Sequence, residues 1–408
     1  MKRFLAFVLC LLMVSSMVAC GAPAPAASTA QPAAPTAPPV EQPTAAPEAT
    51  EAPKGNPNAA DFTYVDPAGS TFDVSKYYND LGVECDFTLR ATGGTVAVPD
   101  MASSMPKAKE RYKIGFSVYY TVDEVGAMLL ETMKTYAEIC GVDLLVNDAN
   151  YDQNAQNQAV EQWILEGIDG AIIAPCDFTG VKGALDALKA ANIPVVTLNP
   201  ALSGEADAVI MSECTEQGAM AAQLLIDHLK ASNSTMEGVI VYQTLPFVHP
   251  NAATRAKGFK DAFAQFPGIE IVELTGIAPE EHYTAFEGAL MNYGDKLIGA
   301  FGLYASATIG MMNAKKAAGS DVPITSIDND KVILEGIYNG DLLGSCCYSS
   351  TSPAIWCMNQ MVNLLNGEEI PSAIFYPNTN VTKANVEEMF EFYYNGKTLA
   401  DYIAGAVS

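Results

Sequence analysis

From residue 112 onward, short apolar runs alternate with amphipathic segments, and this alternation constrains the fold more than any other feature. The runs "YKIGFSV", "VDLLVND", "GAIIAP" and "IPVVTLN" are typical of buried strands, and the segments 124–140 and 153–166 are typical of helices. Strands and helices in this order indicate parallel sheets with right-handed crossovers. A second series begins at "GVIVYQ" and continues through "IEIVEL", "LIGAFGLY", "VPITSID" and "LLGSCCY". The sequence therefore predicts an α/β fold of two doubly wound parallel-sheet domains.

Two such domains predict where a ligand binds. In doubly wound folds the ligand lies outside the carboxyl ends of the strands, and a crevice between two domains is a common pocket. We expect hinges where the chain crosses between the domains, near Glu213–Cys214, Tyr348–Ser349 and Tyr376–Thr379. The expected N-terminal lobe comprises 111–213 and 349–378, and the expected C-terminal lobe comprises 214–348 and 379–408.

The N-terminus has the pattern of a secretory signal peptide. Lys2 and Arg3 precede a short apolar run, and small residues follow it before Met17, Val18 and Ala19. The run is too short to span a bilayer, which takes about 20 residues. Cys20 directly follows the small residues, and this arrangement resembles a bacterial lipobox, so we expect Cys20 to be lipidated. The alternatives are a plain signal peptide that contains a cysteine by chance, or an uncleaved anchor.

Residues 20–60 are rich in alanine and proline and contain no aromatic residue. Such a segment cannot bury enough apolar surface to offset its ordering entropy, so we expect a disordered, extended tether. Two acyl chains on a diacylated cysteine suffice for stable membrane anchoring. The following segment, 61–110, carries several aromatic residues and is expected to be ordered. Its role cannot be assigned from the sequence.

Composition argues against several classes of function. The chain has 22 basic and 47 acidic residues and a formal charge of −25, which makes nucleic acid an unsuitable partner. Beyond Cys10 and Cys20, the cysteines are scattered without C-x-x-C spacing, so we expect them to be mainly free and buried. With three histidines and no calcium-loop motif, we expect neither a bound metal nor a cofactor.

Three stretches resemble the bacterial type 1 solute-binding proteins of sugar ABC importers, in the ribose and galactose/glucose group. They are "NDANYDQNAQNQAVEQWILEGIDGAIIAP", "ANIPVVTLN" and "HPNAATRAKGF", and the resemblance covers about 113–381. It implies two lobes that close on a small polar ligand at a hinge. It also implies a monomer in the extracytoplasmic space that docks on membrane-embedded permease subunits.

The same resemblance implies a set of polar ligand-binding residues. The third stretch matches the loop His-Pro-Asp-x-x-x-Arg, with Asn251 where the relatives have Asp. Carboxylates, amides and a guanidinium suit a sugar, whose hydroxyls both donate and accept hydrogen bonds. Alternative interpretations are a helix cap for Asp328, a solvated charge for Arg255 and an ordinary loop histidine for His249. The matched residues are Asp123, Asn199, His249, Asn251, Arg255 and Asp328.

The aromatic residues depart from the family pattern. The pair that sandwiches the sugar in those relatives has no clear counterpart, and Tyr304 stands where the family has Asn. Aromatic faces and phenol hydroxyls can replace such contacts, which predicts a remodelled pocket. Packing of Tyr304 and Tyr348 at the hinge is the alternative. The predicted aromatic ligand contacts are Tyr119, Tyr120, Phe247, Tyr304 and Tyr348.

We therefore expect a lipid-anchored binding protein for a monosaccharide. A nucleoside, a cyclitol or another ring-bearing solute is the alternative ligand, and presentation of the ligand to a membrane receptor is an alternative role. An enzyme is disfavoured, because no G-x-S-x-G, H-E-x-x-H, P-loop or dinucleotide motif is present. A sugar-responsive transcription regulator shares the fold, but the lipobox and the lack of a preceding basic helix-turn-helix argue against it.

Overall fold

The computed structural model describes residues 72–80, 82–94, 96–97, 105–121, 124–232, 235–246, 249–349, 351–394 and 396–405. The predicted signal peptide, Cys20 and the tether lie outside these residues, as do Asp123 and Phe247. The strands are β1 (Asp86–Leu89), β2 (Val96–Ala97), β3 (Lys113–Val118), β4 (Asp143–Asp148), β5 (Gly170–Ile173), β6 (Val195–Leu198), β7 (Ser203–Ala206), β8 (Ala208–Ser212), β9 (Gly238–Thr244), β10 (Ile269–Thr275), β11 (Leu297–Gly302), β12 (Ile324–Ile327), β13 (Gly344–Tyr348), β14 (Ala373–Tyr376) and β15 (Asn378–Thr382).

The helices of the described residues fill the connections between these strands. Local signals set many of their ends: Asp152 caps one N-terminus, and Gly319 and Gly340 end two helices in the left-handed conformation. The helices are α1 (Val74–Asp80), α2 (Glu124–Cys140), α3 (Gln153–Leu165), α4 (Lys182–Ala190), α5 (Cys214–Ala231), α6 (Pro250–Phe263), α7 (Pro279–Tyr293), α8 (Ala305–Ala318), α9 (Lys331–Asn339), α10 (Ser352–Leu365), α11 (Val386–Tyr393) and α12 (Leu399–Ile403).

Two large sheets define two lobes. The sheet of the N-terminal lobe has the order β2-β14-β8-β6-β5-β3-β4, and all its strands are parallel. The sheet of the C-terminal lobe has the order β10-β9-β11-β12-β13-β15. Central strands such as β5, β6 and β12 are buried along their whole length, because helices cover both faces of each sheet. The predicted α/β fold with two doubly wound domains is confirmed.

One strand departs from the predicted parallel arrangement. β15 runs antiparallel to β13, whereas the other pairs in the sheet of the C-terminal lobe are parallel. The chain reaches β15 directly from β14 through the single residue Pro377, without the crossover helix that a parallel connection requires. β15 therefore joins the second sheet as an antiparallel edge strand.

The chain passes between the two sheets at three places. It leaves β8 of the N-terminal lobe for α5, leaves β13 of the C-terminal lobe for α10, and leaves β14 for β15. The described residues at these passages are Glu213, Ser349, Thr351 and Pro377. Movement of the lobes about these passages stays a prediction.

The described part of segment 61–110 packs on the N-terminal lobe. Tyr78 and Phe87 are fully buried in a core cluster that also contains Trp163 and Leu185. Strand β1 pairs in parallel with β7, and β2 adds to the edge of the larger sheet beside β14. We call the described residues between 72 and 97 the extension.

The seven described cysteines are all free, and every one except the half-buried Cys176 is buried. This agrees with the expectation from their scattered positions. In the part of the chain that the structure describes, no helix is both long enough and apolar enough to cross a membrane. Among the same residues, no group of three or more His, Cys, Asp or Glu side chains is placed to hold a metal ion.

Candidate ligand-binding site

The carboxyl ends of strands in both lobes carry residues of the predicted site. Asn199 directly follows β6 in the N-terminal lobe, and Asp328 directly follows β12 in the C-terminal lobe. The rings of Phe178 and His249, one from each lobe, meet edge to face with centroids 4.8 Å apart. Met128 of α2 packs against the core cluster of the C-terminal lobe. The lobes are therefore in contact, and a ligand site at their junction stays a prediction.

Arg255 and Asp328 form the charged centre of this site. Arg255 is only 8% exposed, and its Nη2 lies 3.9 Å from Oδ1 of Asp328. Its Nε donates to Oε1 of Gln217 at 2.7 Å, and its Nη1 donates to the carbonyl of Leu303 at 2.9 Å. An arginine carries five N–H donors and stays charged in proteins, so this guanidinium can also donate to a ligand. Its burial contradicts the alternative interpretation of a solvated surface charge.

Asp328 is held by two further donors. The phenol of Tyr348 donates to its Oδ1 at 3.1 Å, and the backbone N–H of Ala305 donates to its Oδ2 at 2.8 Å. Burial, with Asp328 close by, raises the pKa of Tyr348 well above its ordinary value, so the phenol stays protonated and donates. A carboxylate can accept about four hydrogen bonds, so these two donors leave it capacity for a ligand hydroxyl.

Two of the predicted polar residues adopt the left-handed backbone conformation. Asn199 has φ of +65° and Asp328 has φ of +81°. This conformation costs a residue other than glycine about 1–3 kcal/mol and recurs at functional sites, where the surrounding structure enforces it. Both residues are the first after a buried strand, so the left-handed backbone lies directly at the carboxyl ends of β6 and β12.

The start of helix α6 presents two buried polar atoms without a hydrogen-bond partner among the residues that the structure describes. Nδ1 of His249 and Oδ1 of Asn251 are buried and form no hydrogen bond with any described residue. Burial, and then the neighbouring Arg255, lower the pKa of His249 to about 4, so its ring is neutral at pH 7. A buried polar atom without a partner costs about 1–3 kcal/mol, which a ligand hydroxyl at this position would recover.

Aromatic rings stack at the rim of the N-terminal lobe. Tyr119 and Tyr120 follow β3, and the ring of Tyr151 stacks on both, with centroid distances of 5.8 and 5.0 Å. Tyr151 is 60% exposed and also has a left-handed φ of +58°. Tyr151 was not predicted from the sequence; it lies three residues beyond the end of β4, whereas Tyr119 directly follows β3. The predicted roles of Tyr119 and Tyr120 in ligand contact stay predictions.

The hydroxyl of Tyr304 is engaged inside its own lobe. It donates to the carbonyl of Gly276 at 3.1 Å and lies 2.9 Å from Nε2 of His282. The single hydroxyl proton of Tyr304 cannot form both hydrogen bonds. Nε2 of the neutral His282 therefore carries a hydrogen and donates it to the Tyr304 oxygen. This geometry favours the packing interpretation of Tyr304, and a contact between its ring and the ligand stays a prediction.

Several residues at the site were missed by the sequence analysis. Gln217 binds Arg255 from helix α5, Phe178 contacts His249 across the lobes, and Tyr376 lies 5.7 Å from Tyr348 between ring centroids. Tyr376 is the last residue of β14, a position that could have indicated it, whereas Phe178 lies five residues beyond the end of β5. Gln217 lies within a helix, where the sequence offers no such signal.

Acidification is expected to destabilise the protein through His282. This side chain is 0% exposed, and burial lowers its pKa to about 4, whereas an unfolded histidine titrates near 6.5. Between these values the unfolded state binds the extra proton, so stability falls as the pH falls through this range. We expect the contribution of this group to lower the free energy of unfolding by about 2 kcal/mol between pH 7 and pH 5. Urea unfolding at both pH values measures this difference. His282→Gln should remove this part of the pH dependence and leave the part that His249 contributes, because the pKa of His249 is lowered in the same way. An unchanged pH dependence would contradict this assignment.

Comparison with known proteins identifies the family. A family model described as "Periplasmic binding protein domain" matches residues 114–369. The xylitol-binding protein of Mycolicibacterium smegmatis is 24% identical over 265 residues, which cover 64% of this chain and 74% of the relative. The ribose import binding protein of Bacillus subtilis is 23% identical over 275 residues, which cover 66% of this chain and 87% of the relative.

A solved structure shares the fold. The binding protein of the arabinose ABC transporter from Shewanella sp. ANA-3, bound to L-arabinofuranose, aligns with a TM-score of 0.63 at 24% identity. The alignment covers 69% of this chain and 96% of that chain. The family match spans more than half of the present chain and begins after the extension. The chain therefore belongs to the type 1 periplasmic binding protein family, the solute-binding proteins of sugar ABC importers, which confirms the resemblance recognised in the sequence.

Proposed function

We propose that this protein is a non-catalytic, extracytoplasmic binding protein that captures a monosaccharide in the cleft between its lobes. The observation that carries the proposal is the arrangement at the junction of the lobes. A buried guanidinium and carboxylate, Arg255 and Asp328, lie beside two buried polar atoms that lack a partner among the described residues, on His249 and Asn251. These four groups are suited to bind a ligand rich in hydroxyl groups.

The chemistry of these groups suits a sugar. Each sugar hydroxyl donates one hydrogen bond and accepts others, so it can bridge the donors of Arg255 and the carboxylate of Asp328. Oδ1 of Asn251 is an acceptor and would take a hydroxyl proton, and Nδ1 of the neutral His249 would accept from or donate to a hydroxyl according to its tautomer. An epimer that leaves one of these buried groups unpaired would lose affinity, which provides selectivity.

The ligands of related proteins support this class of solute. Relatives are named as binding proteins for xylitol and ribose, and a structural neighbour holds L-arabinofuranose. Another neighbour, from Bacillus halodurans, holds myo-inositol and aligns with a TM-score of 0.62. All are small polyhydroxylated molecules, consistent with a cleft lined by charged and amide side chains.

Capture is proposed to proceed by closure of the lobes about the three passages between the sheets. A ligand shifts such an equilibrium by its differential affinity for the closed arrangement. In the proposed role the closed, monomeric protein then delivers its ligand to the permease subunits of an ABC importer. A lipid on Cys20 and the tether that follows would keep it at the outer face of the membrane.

A thermal-shift panel on the purified protein tests the proposal. The panel comprises pentoses, hexoses, polyols, cyclitols, nucleosides and amino acids. A ligand that binds only the folded state stabilises it by about 2.7 kcal/mol at a hundredfold excess over its Kd. We expect at least one pentose or hexose to raise the midpoint of thermal unfolding. If no sugar in the panel raises it, the proposal is overturned.

A nucleoside is the second candidate ligand, and the stacked Tyr119, Tyr120 and Tyr151 favour it. Aromatic side chains stack on a planar base as readily as on the apolar face of a sugar ring. In the same panel, a shift with nucleosides and none with free sugars would identify this class. Replacement of Tyr151 by alanine should then reduce the shift.

A further inference from the structure

The extension reaches the first passage between the lobes through one side chain. The hydroxyl of Tyr77, on helix α1, donates to the Glu213 carboxylate and lies 2.9 Å from Oγ1 of Thr215. Glu213 is the residue that separates β8 from α5, and Thr215 belongs to α5 of the C-terminal lobe. The extension precedes residue 114, the first residue of the family match, so this contact involves a part of the chain outside that match.

Tyr77 is fixed to the N-terminal lobe. Its ring packs against those of Phe72 and Tyr78, with centroids 5.5 and 5.0 Å away, and Tyr78 is completely buried in the core of that lobe. The backbone N–H of Phe72 donates to Oγ of Ser372 at 3.1 Å. Helix α1 therefore moves with the N-terminal lobe, and the hydroxyl of Tyr77 reaches from it to the start of α5.

The groups that Tyr77 contacts organise two of the three passages. Glu213 caps helix α5 by accepting from the backbone N–H groups of Thr215 and Glu216. Asn378, which follows the third passage, donates through its Nδ2 to the carbonyl of Glu213 at 3.1 Å and to Oε2 of Glu216 at 2.7 Å. A change at Glu213 therefore acts on both of these connections between the lobes.

The same network continues to the candidate site. Nε2 of Gln217 donates to Oδ1 of Asn378 at 2.9 Å, and Oε1 of Gln217 accepts from Nε of Arg255 at 2.7 Å. Gln217 is completely buried, so it cannot exchange these partners for water without a rearrangement. Hydrogen bonds thus connect the phenol of Tyr77 to the guanidinium of Arg255.

We infer that Tyr77 is a positioning residue that stabilises the contacted arrangement of the lobes, in which Phe178 of one lobe touches His249 of the other. By favouring this arrangement, Tyr77 raises the affinity for the ligand. The inference rests on the proposed function. Rotation about the passage at Glu213 would displace Thr215 from α1, because the two belong to different lobes, and the hydrogen bond would break. The bond therefore favours the arrangement in which Phe178 meets His249 over an opened one.

Tyr77→Phe tests this inference, with Tyr112→Phe as the matched control. The hydroxyl of Tyr112 donates to the carbonyl of Leu365 at 3.0 Å, which is a hydrogen bond inside the N-terminal lobe. We expect Tyr77→Phe to weaken the affinity for the best solute of the panel about fivefold, the ratio expected for one hydrogen bond. Tyr112→Phe should leave that affinity unchanged. Equal affinities of both variants and the wild type would overturn the inference.

Small-angle X-ray scattering of the ligand-free proteins gives a second readout. If Tyr77 stabilises the contacted arrangement, Tyr77→Phe and Thr215→Val should each increase the radius of gyration relative to Tyr112→Phe. Identical radii in all variants would contradict the inference. This measurement needs no ligand, so it separates a failure of the positioning role from a failure of the proposed function, in which the wild type binds no solute of the panel.

Discussion

Asp328→Asn is expected to lower the affinity for the best solute of the panel at least a hundredfold, with retention of the fold. The amide has nearly the same size and can still accept from the N–H of Ala305 or the phenol of Tyr348. It removes the negative charge that faces the buried Arg255, 3.9 Å away. An uncompensated buried charge costs about 3–5 kcal/mol, and a ligand hydroxyl then loses its charged acceptor as well.

Asp328→Ala should have a larger effect on stability, because it also removes the acceptor of two hydrogen bonds. Asp186→Ala is the control, since Asp186 pairs with Lys182 on the exposed face of α4 and such pairs contribute about 0–1 kcal/mol. Isothermal titration reports the affinity and urea unfolding reports the stability of each variant. If Asp328→Asn binds the solute as tightly as the wild type, Asp328 only caps the start of α8 and is not part of the site.

The sequence was most informative where burial determined the residue pattern. Strands such as β5, with the sequence "GAII", are buried on both faces of a sheet and therefore consist of apolar residues only. The polar strands β7 and β15, with the sequences "SGEA" and "NTNVT", carry no such pattern and were missed. β7 is held by β1, which lies more than 110 residues earlier, and pairing over such a separation leaves no local signal.

The candidate site was predictable to the extent that it follows from strand ends. Asp328 and Tyr348 lie at consecutive strand ends of one sheet, so their proximity follows from the topology. The direction of the Tyr304 hydroxyl depends on His282, which approaches from another helix. The roles of Gln217 and Tyr77 likewise depend on side chains that meet only after the lobes and the extension have assembled.

Gly218→Ala is expected to destabilise the protein by about 3 kcal/mol and to weaken ligand binding at the same time. Helices α5 and α6 cross in close contact at two glycines. A Cβ atom on Gly218 would lie 1.9 Å from the carbonyl oxygen of Arg255, and one on Gly258 would lie 1.9 Å from the carbonyl oxygen of Thr215. Backbone cannot yield as a flexible side chain does, so the helices must separate, and overpacking of this kind costs about 1–3 kcal/mol or more.

The effect on binding follows from what the two helices carry. Gln217 on α5 and Arg255 on α6 share a 2.7 Å hydrogen bond beside this crossing, so separation of the helices displaces the guanidinium from Asp328. Gly288→Ala, in the middle of α7, is the matched control, because no atom lies within 4 Å of its added methyl group. The stability of that variant should rise by up to about 1 kcal/mol, because alanine has a higher helix propensity than glycine. Urea midpoints that fall for Gly218→Ala and Gly258→Ala and rise for Gly288→Ala would establish the close crossing, whereas wild-type stability of Gly218→Ala would show that the helices lie further apart.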